Sequence, residues 1–197
     1  MKARVVVTVC VMGLAASVAF GQDGPFAGPR GALGRVLLLL RRDVQKELKL
    51  SEEQESAIAA EYRSAFGEPG PSWEARAARM EKRLEKTLCS AQQKRYAELL
   101  LQWEGPEAMG RKLVADRIGL TEAQRGDIRT IRSEVYPAVR NDFQGFELMA
   151  DYKAMRARLE WCRAEVARRT LALLTGDQRE KWEALKGRPF SFERGAG

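Results

Sequence analysis

Four copies of one phrase constrain this chain more than anything else in it. Leu50-Ser51-Glu52-Glu53-Gln54, Leu120-Thr121-Glu122-Ala123-Gln124 and Leu174-Thr175-Gly176-Asp177-Gln178 all read L-[S/T]-x-x-Q, and Leu88-Cys89-Ser90-Ala91-Gln92 is a blurred copy. The phrase starts a helix: the Ser or Thr hydroxyl accepts a free N–H three residues on, and the Gln side chain answers the cap's own N–H. The leading Leu stands where a hydrophobic staple anchors the incoming chain. Cysteine is a poor cap, so the sequence predicts that the second start slides to Ser90, with Gln93 closing the box.

The spacing of the phrases points to an internal duplication. The segment from Val44 to Ser51 matches that from Val114 to Thr121, 70 residues on, and Gln92–Leu99 matches Gln178–Leu185, 86 residues on. Each half, about 35–105 and 106–187, then holds a lead-in helix, a boxed helix, a return helix and a second boxed helix. The extra 16 residues of the second half fall around Tyr136 to Ala150. Arg35 to Leu48 reads as one lead-in helix. Ser72 caps a helix with Trp73, Ala77, Met80, Leu84 and Thr87 on one seam. Leu148, Tyr152, Met155, Leu159, Cys162, Val166, Thr170 and Leu173 mostly alternate steps of four and three, the seam of a helical hairpin or coiled coil. No stretch alternates at period two. The expected fold is all-α: two related units of long amphipathic helices joined by capped turns and packed as hairpins or a bundle.

The ends read differently. Lys2 and Arg4 precede an apolar run from Val5 to Phe20, and Ala19-Phe20-Gly21 offers small residues to a signal peptidase. Residues 1–21 are therefore expected to be a cleavable export signal, with an uncleaved anchor as the alternative, and the destination is periplasmic or secreted. No later segment is apolar enough to span a membrane. Residues 22–34 form a Gly/Pro leader and 188–197 a loose tail.

Composition narrows the chemistry. The chain holds 34 Lys and Arg, 27 Asp and Glu, and no histidine. Loss of Lys2 and Arg4 takes 34 basic residues to 32 against 27 acidic, a net +5. In an exported protein that charge selects acidic polymers, anionic surfaces or unfolded chains rather than nucleic acid. Without histidine there is no His-based triad and no His-ligated zinc. Cys89 and Cys162, the cysteines of the mature chain, suit a disulfide or free thiols, with Cys162 on an apolar stripe. No carboxylate pair stands out, so the sequence predicts neither an enzyme, nor a cofactor, nor a metal site.

Candidate binding surfaces remain. Arg76, Arg79 and Arg83, with Lys86, descend one helix; Arg125, Arg129 and Arg132 descend another. They suit either a solvated face paired to acids such as Glu81 and Glu85, or a cationic face for acidic, partly unfolded chains. Leu38 and Leu39 spill off their helix face and are candidate surface for a dimer or a client. Tyr96 and Trp182 hold equivalent repeat positions, which implies a shared packing role. Trp161, one step off the Cys162 stripe, suits an exposed edge.

An export signal followed by boxes at Leu50, Leu88, Leu120 and Leu174 on a helical chain resembles the LTxxQ family of bacterial envelope proteins, typified by the Spy and CpxP stress proteins. The resemblance implies a periplasmic protein of long bent helices, usually a cradle-shaped dimer, that holds unfolded clients without ATP or modulates envelope stress signalling. Metal-sensing relatives bind through His-rich segments, which this chain lacks; its long duplication and Gly/Pro leader also depart from the small stress proteins. The expectation is a non-enzymatic, ATP-independent chaperone or stress adaptor. A protein docking a fixed envelope partner is the alternative, and a metal-responsive sensor a disfavoured third.

Overall fold

The computed structural model describes residues 32–67, 73–136 and 152–193. The segment read as an export signal, most of the leader, the expected insertion over 137–151, the Trp73 side chain and residues 194–197 lie outside the described residues. Among the described residues there is helix and no strand. The helices are α1 (Ala32–Leu39), α2 (Arg42–Leu48), α3 (Glu52–Gly67), α4 (Trp73–Thr87) and α5 (Ser90–Glu104). A 3-10 turn, Gly105–Gly110, leads to α6 (Lys112–Ile118), α7 (Glu122–Val135), α8 (Tyr152–Ala172) and α9 (Gly176–Lys186).

The lead-in predicted as one helix is two. Arg41 leaves helical geometry at φ −75°, ψ 130°, and Asp43 holds the new start by accepting from the Val44 N–H at 3.0 Å. Gln45 Nε2 donates back to the Leu39 carbonyl at 3.0 Å, so the broken turn stays satisfied. The same break occurs 70 residues on, where Arg111 sits at φ −81°, ψ 129° between the 3-10 turn and α6. There Pro106 occupies the first turn, where its missing N–H goes unneeded.

Both breaks bury what precedes them. α1 lies on α4 and the 3-10 turn lies on α8. Leu38 and Leu39 are each 1% exposed, as is Met109, one repeat from Leu39. The reading of Leu38 and Leu39 as binding surface is thereby overturned: the bend at Leu40–Arg41 lays α1 across α4, and both side chains enter the core. Leu37 is the one that faces outward.

Two cores result. Val36, Leu48, Ile58, Leu84, Tyr96 and Leu99 belong to the first; Met109, Ile118, Ile128, Leu174 and Trp182 to the second, with Ile131, Cys162 and Val166 adjoining. Leu101 joins the second core, so α5 serves both halves. Tyr96 and Trp182 are buried at their equivalent positions, and Tyr96 donates its hydroxyl to the Arg35 carbonyl at 2.5 Å. Cys89 and Cys162 are not joined in a disulfide, and Cys162 is fully buried beside the Val135 carbonyl.

Residues 188–193 are not a loose tail. They fold back over the first core, where Phe190 and Phe192 pack against it.

Candidate functional site

The four boxes meet in two pairs, and their glutamines form the most organised polar sites among the described residues. Gln54 Oε1 accepts from the Ser51 N–H at 3.1 Å, and the Ser51 hydroxyl accepts from the Gln54 N–H at 3.2 Å. The Gln54 amide then faces Gln92: each Nε2 donates to the other's Oε1, at 2.9 and 3.0 Å. The remaining donors go to the ends of two other helices. Gln54 Nε2 reaches the Thr87 carbonyl at 2.8 Å and Gln92 Nε2 the Leu48 carbonyl at 3.2 Å. One amide pair therefore ties the ends of α2 and α4 to the starts of α3 and α5, and each helix end has backbone groups that need partners.

The second pair repeats the bonds. Gln124 and Gln178 exchange donors at 2.8 and 2.9 Å, and their oxygens accept from the Thr121 and Thr175 N–H groups at 3.0 and 3.1 Å. Gln124 Nε2 also donates to the Leu173 carbonyl at 2.8 Å, and Gln178 Nε2 to the Gly119 carbonyl at 2.9 Å. Each glutamine thus uses two donors and two acceptors, the full capacity of its amide. The predicted slide to Ser90 does not occur. Cys89 keeps the cap position, because Gln92 must answer the Cys89 N–H (2.9 Å) to face Gln54, and Gln93 donates instead to the Leu88 carbonyl at 3.0 Å. Leu50, Leu88, Leu120 and Leu174 all pack into the cores beside their boxes.

The arginine stripes are divided. α4 packs on α1 and α3, whereas α7 packs on α8 and the 3-10 turn. Arg83 pairs with Glu61 of α3 at 2.8 Å, while the side chains of Glu81 and Glu85 lie outside the described residues. Arg125 binds Asp116 at 2.7 Å and the Leu120 carbonyl at 3.2 Å; hydrogen bonds from Lys112 and Arg125 hold the Asp116 carboxyl below the usual carboxylate range. Arg132 lies against Gly110, where an added Cβ would fall 2.6 Å from its Nη1. Arg76 is half-buried. Arg79 and Arg129 are exposed, with no ion pair to another described residue. Trp161 is 51% exposed on α8, with the Arg158 guanidinium 4.8 Å from its ring centre.

One site lay outside the sequence reading. The Arg41 guanidinium binds Asp43 at 2.6 Å and lies 5.2 Å from the Trp103 ring centre, and residues 188–193 pass over this corner. Burial pushes the Asp43 carboxyl up. Hydrogen bonds from Arg41 and from the Glu193 N–H, with the Arg41 charge, outweigh it and hold the group below its ordinary value. Glu47 is lowered in the same way: burial opposes, while Arg188 and Arg95 prevail. The signal for this site was the Phe190-x-Phe192 spacing, two large apolar residues in a segment otherwise read as tail.

Among the described residues no helix is long and apolar enough to cross a membrane, and no three Cys, Asp or Glu side chains cluster as a metal site requires. Compared with models of known families, with curated proteins and with solved structures, the chain matches none.

Proposed function

We propose that the protein is an exported, non-enzymatic holder of other protein chains, acting without ATP in the manner the LTxxQ resemblance implies. The observation that carries this reading is Trp161. A large aromatic side chain is left half exposed on a helix dense in arginine, under the Arg158 guanidinium. Tryptophan and arginine are the residue types that most often anchor protein contacts. Arg79 and Arg129 add exposed positive charge on other helices, which speeds encounter with acidic chains. The binding surface is thus the outer face of the helical hairpins. The sites first expected at Leu38 and Leu39 belong to the core.

The test is light scattering of a chemically unfolded, aggregating client with near-stoichiometric protein and no nucleotide. Suppression is expected, weaker as salt rises past about 0.15 M where charges beyond ~8 Å are screened. Trp161→Ala should remove most of it while leaving the helical circular dichroism unchanged. No suppression at any ratio would leave a dedicated docking protein as the better account.

A further inference from the structure

The corner beneath residues 188–193 is built as a peptide site. Gln102 Oε1 accepts the Phe190 N–H at 2.8 Å, and Asp43 Oδ2 accepts the Glu193 N–H at 2.8 Å. Arg41 Nη2 donates to the Glu193 carbonyl at 2.6 Å, and Gln102 Nε2 to the Arg188 carbonyl at 2.9 Å. All four bonds join a side chain of the folded body to the main chain of the segment, so they do not read its sequence. The reading is done by two rings and by the Arg188 guanidinium, which pairs with Glu47. Phe192 meets Trp103 edge-on at 5.1 Å and Phe190 at 5.0 Å, and the Arg41 guanidinium lies 5.8 Å from the Phe192 ring centre. Pro189 before the two rings and Ser191 between them are exposed.

We propose that this corner is a binding site for non-helical Phe-x-Phe segments of other proteins, and that Phe190–Glu193 occupies it in cis as an internal competitor. Main-chain bonds to fixed polar side chains give affinity, and pockets for alternate residues give specificity, the division of labour common in peptide recognition. The segment follows α9 directly, so its local concentration at the site is high and it sets a threshold that an outside segment must exceed. This site is separate from the outer arginine and Trp161 surface, and its occupancy does not depend on that surface acting.

The test uses the full chain carrying Phe190→Ala and Phe192→Ala, and a labelled hexapeptide Arg-Pro-Phe-Ser-Phe-Glu followed by fluorescence anisotropy. A segment on a short linker competes at an effective concentration on the order of millimolar, so the double variant should bind the peptide at least about tenfold tighter than the unaltered chain. A peptide with both Phe replaced by Ala should not bind. Absence of binding to a folded double variant, or equal binding to both chains, would overturn the proposal. Amide exchange in the unaltered chain covers the case of a variant that fails to fold. Excess peptide should accelerate exchange at Phe190 and Glu193, and unchanged rates would be equally fatal. Tail-exchanged dimers without peptide binding would assign the site to a second copy and refute the partner named.

Discussion

Gln178 shows why the phrase ends in Gln rather than Glu. Capping-box chemistry accepts either, because both offer an oxygen to the cap N–H. The pairing does not. Gln178 is 7% exposed, and its Nε2 must donate to both Gly119 and Gln124. Gln178→Glu keeps the acceptor and turns two donors into a buried charge facing a carbonyl. A loss of about 2 kcal/mol is expected in urea unfolding at neutral pH, from two part-buried hydrogen bonds lost and a charge set against the Gly119 carbonyl. Burial raises the new carboxyl's folded pKa above its unfolded value, so the penalty is present at neutral pH and shrinks as pH falls and the group protonates. A variant as stable as the parent would mean that the boxes act singly. The sequence showed each box, and the Leu, Ser/Thr and Gln roles were legible in it. It did not show the pairing, because Gln54 and Gln92 are brought together only by the antiparallel return of α4 along α3.

At the scale of elements, the ends of α2 and α6 make a natural experiment. Both close with a left-handed residue: Lys49 at φ 51° and Gly119 at φ 74°, one repeat apart. In each, the next residue's N–H bonds back five positions, Leu50 to Gln45 and Leu120 to Ala115, as a Schellman end does. A side chain in that conformation is strained by roughly 1–2 kcal/mol, which glycine avoids. In urea unfolding, Lys49→Gly should therefore raise the unfolding free energy and Gly119→Ala lower it, each by about 1 kcal/mol. The misreading of α1 has the same root. The 70-residue displacement, extended upstream of Val44, places Leu38 and Leu39 opposite Ala108 and Met109, and all four are buried. The register was in the sequence. The break that turns those residues inward depends on Asp43 and Gln45 bonding locally, and helical periodicity alone does not reveal it. Residues 188–193 carry the pH prediction. Asp43 and Glu47 have folded pKa values below their ordinary ones, so they stabilise the docked segment above about pH 4, the unfolded value. That contribution is lost as pH falls through the lower folded values. Relative to its intrinsic rate at each pH, exchange of the Glu193 amide should accelerate on acidification in the parent. In Asp43→Asn it should be fast already at neutral pH.

At the scale of the whole molecule, the two larger cores among the described residues are sewn together. α5 feeds both, Gln102 donates to the Lys186 carbonyl at 2.7 Å, and Glu104 is buried between Arg111 at 2.8 Å and Arg35 at 3.6 Å. Each core has one glutamine pair joining four helix ends, so each pair links residues far apart in the chain: 38 positions for Gln54 and Gln92, 54 for Gln124 and Gln178. The all-helical architecture was readable from the boxes and the helical periodicities between them. Two of the six arginines in the candidate stripes pair with acids on the preceding helix, which the pattern of a single helix does not reveal. Arg83 meets Glu61, and Arg125 meets Asp116. The measurement that tests this account most directly is a double-mutant cycle on Gln124→Ala and Gln178→Ala by urea unfolding. Interlocked amides predict a coupling energy of about 1 kcal/mol or more, since either single change already breaks the shared bonds. Single effects that add to within ~0.5 kcal/mol, as for independent sites, would contradict it.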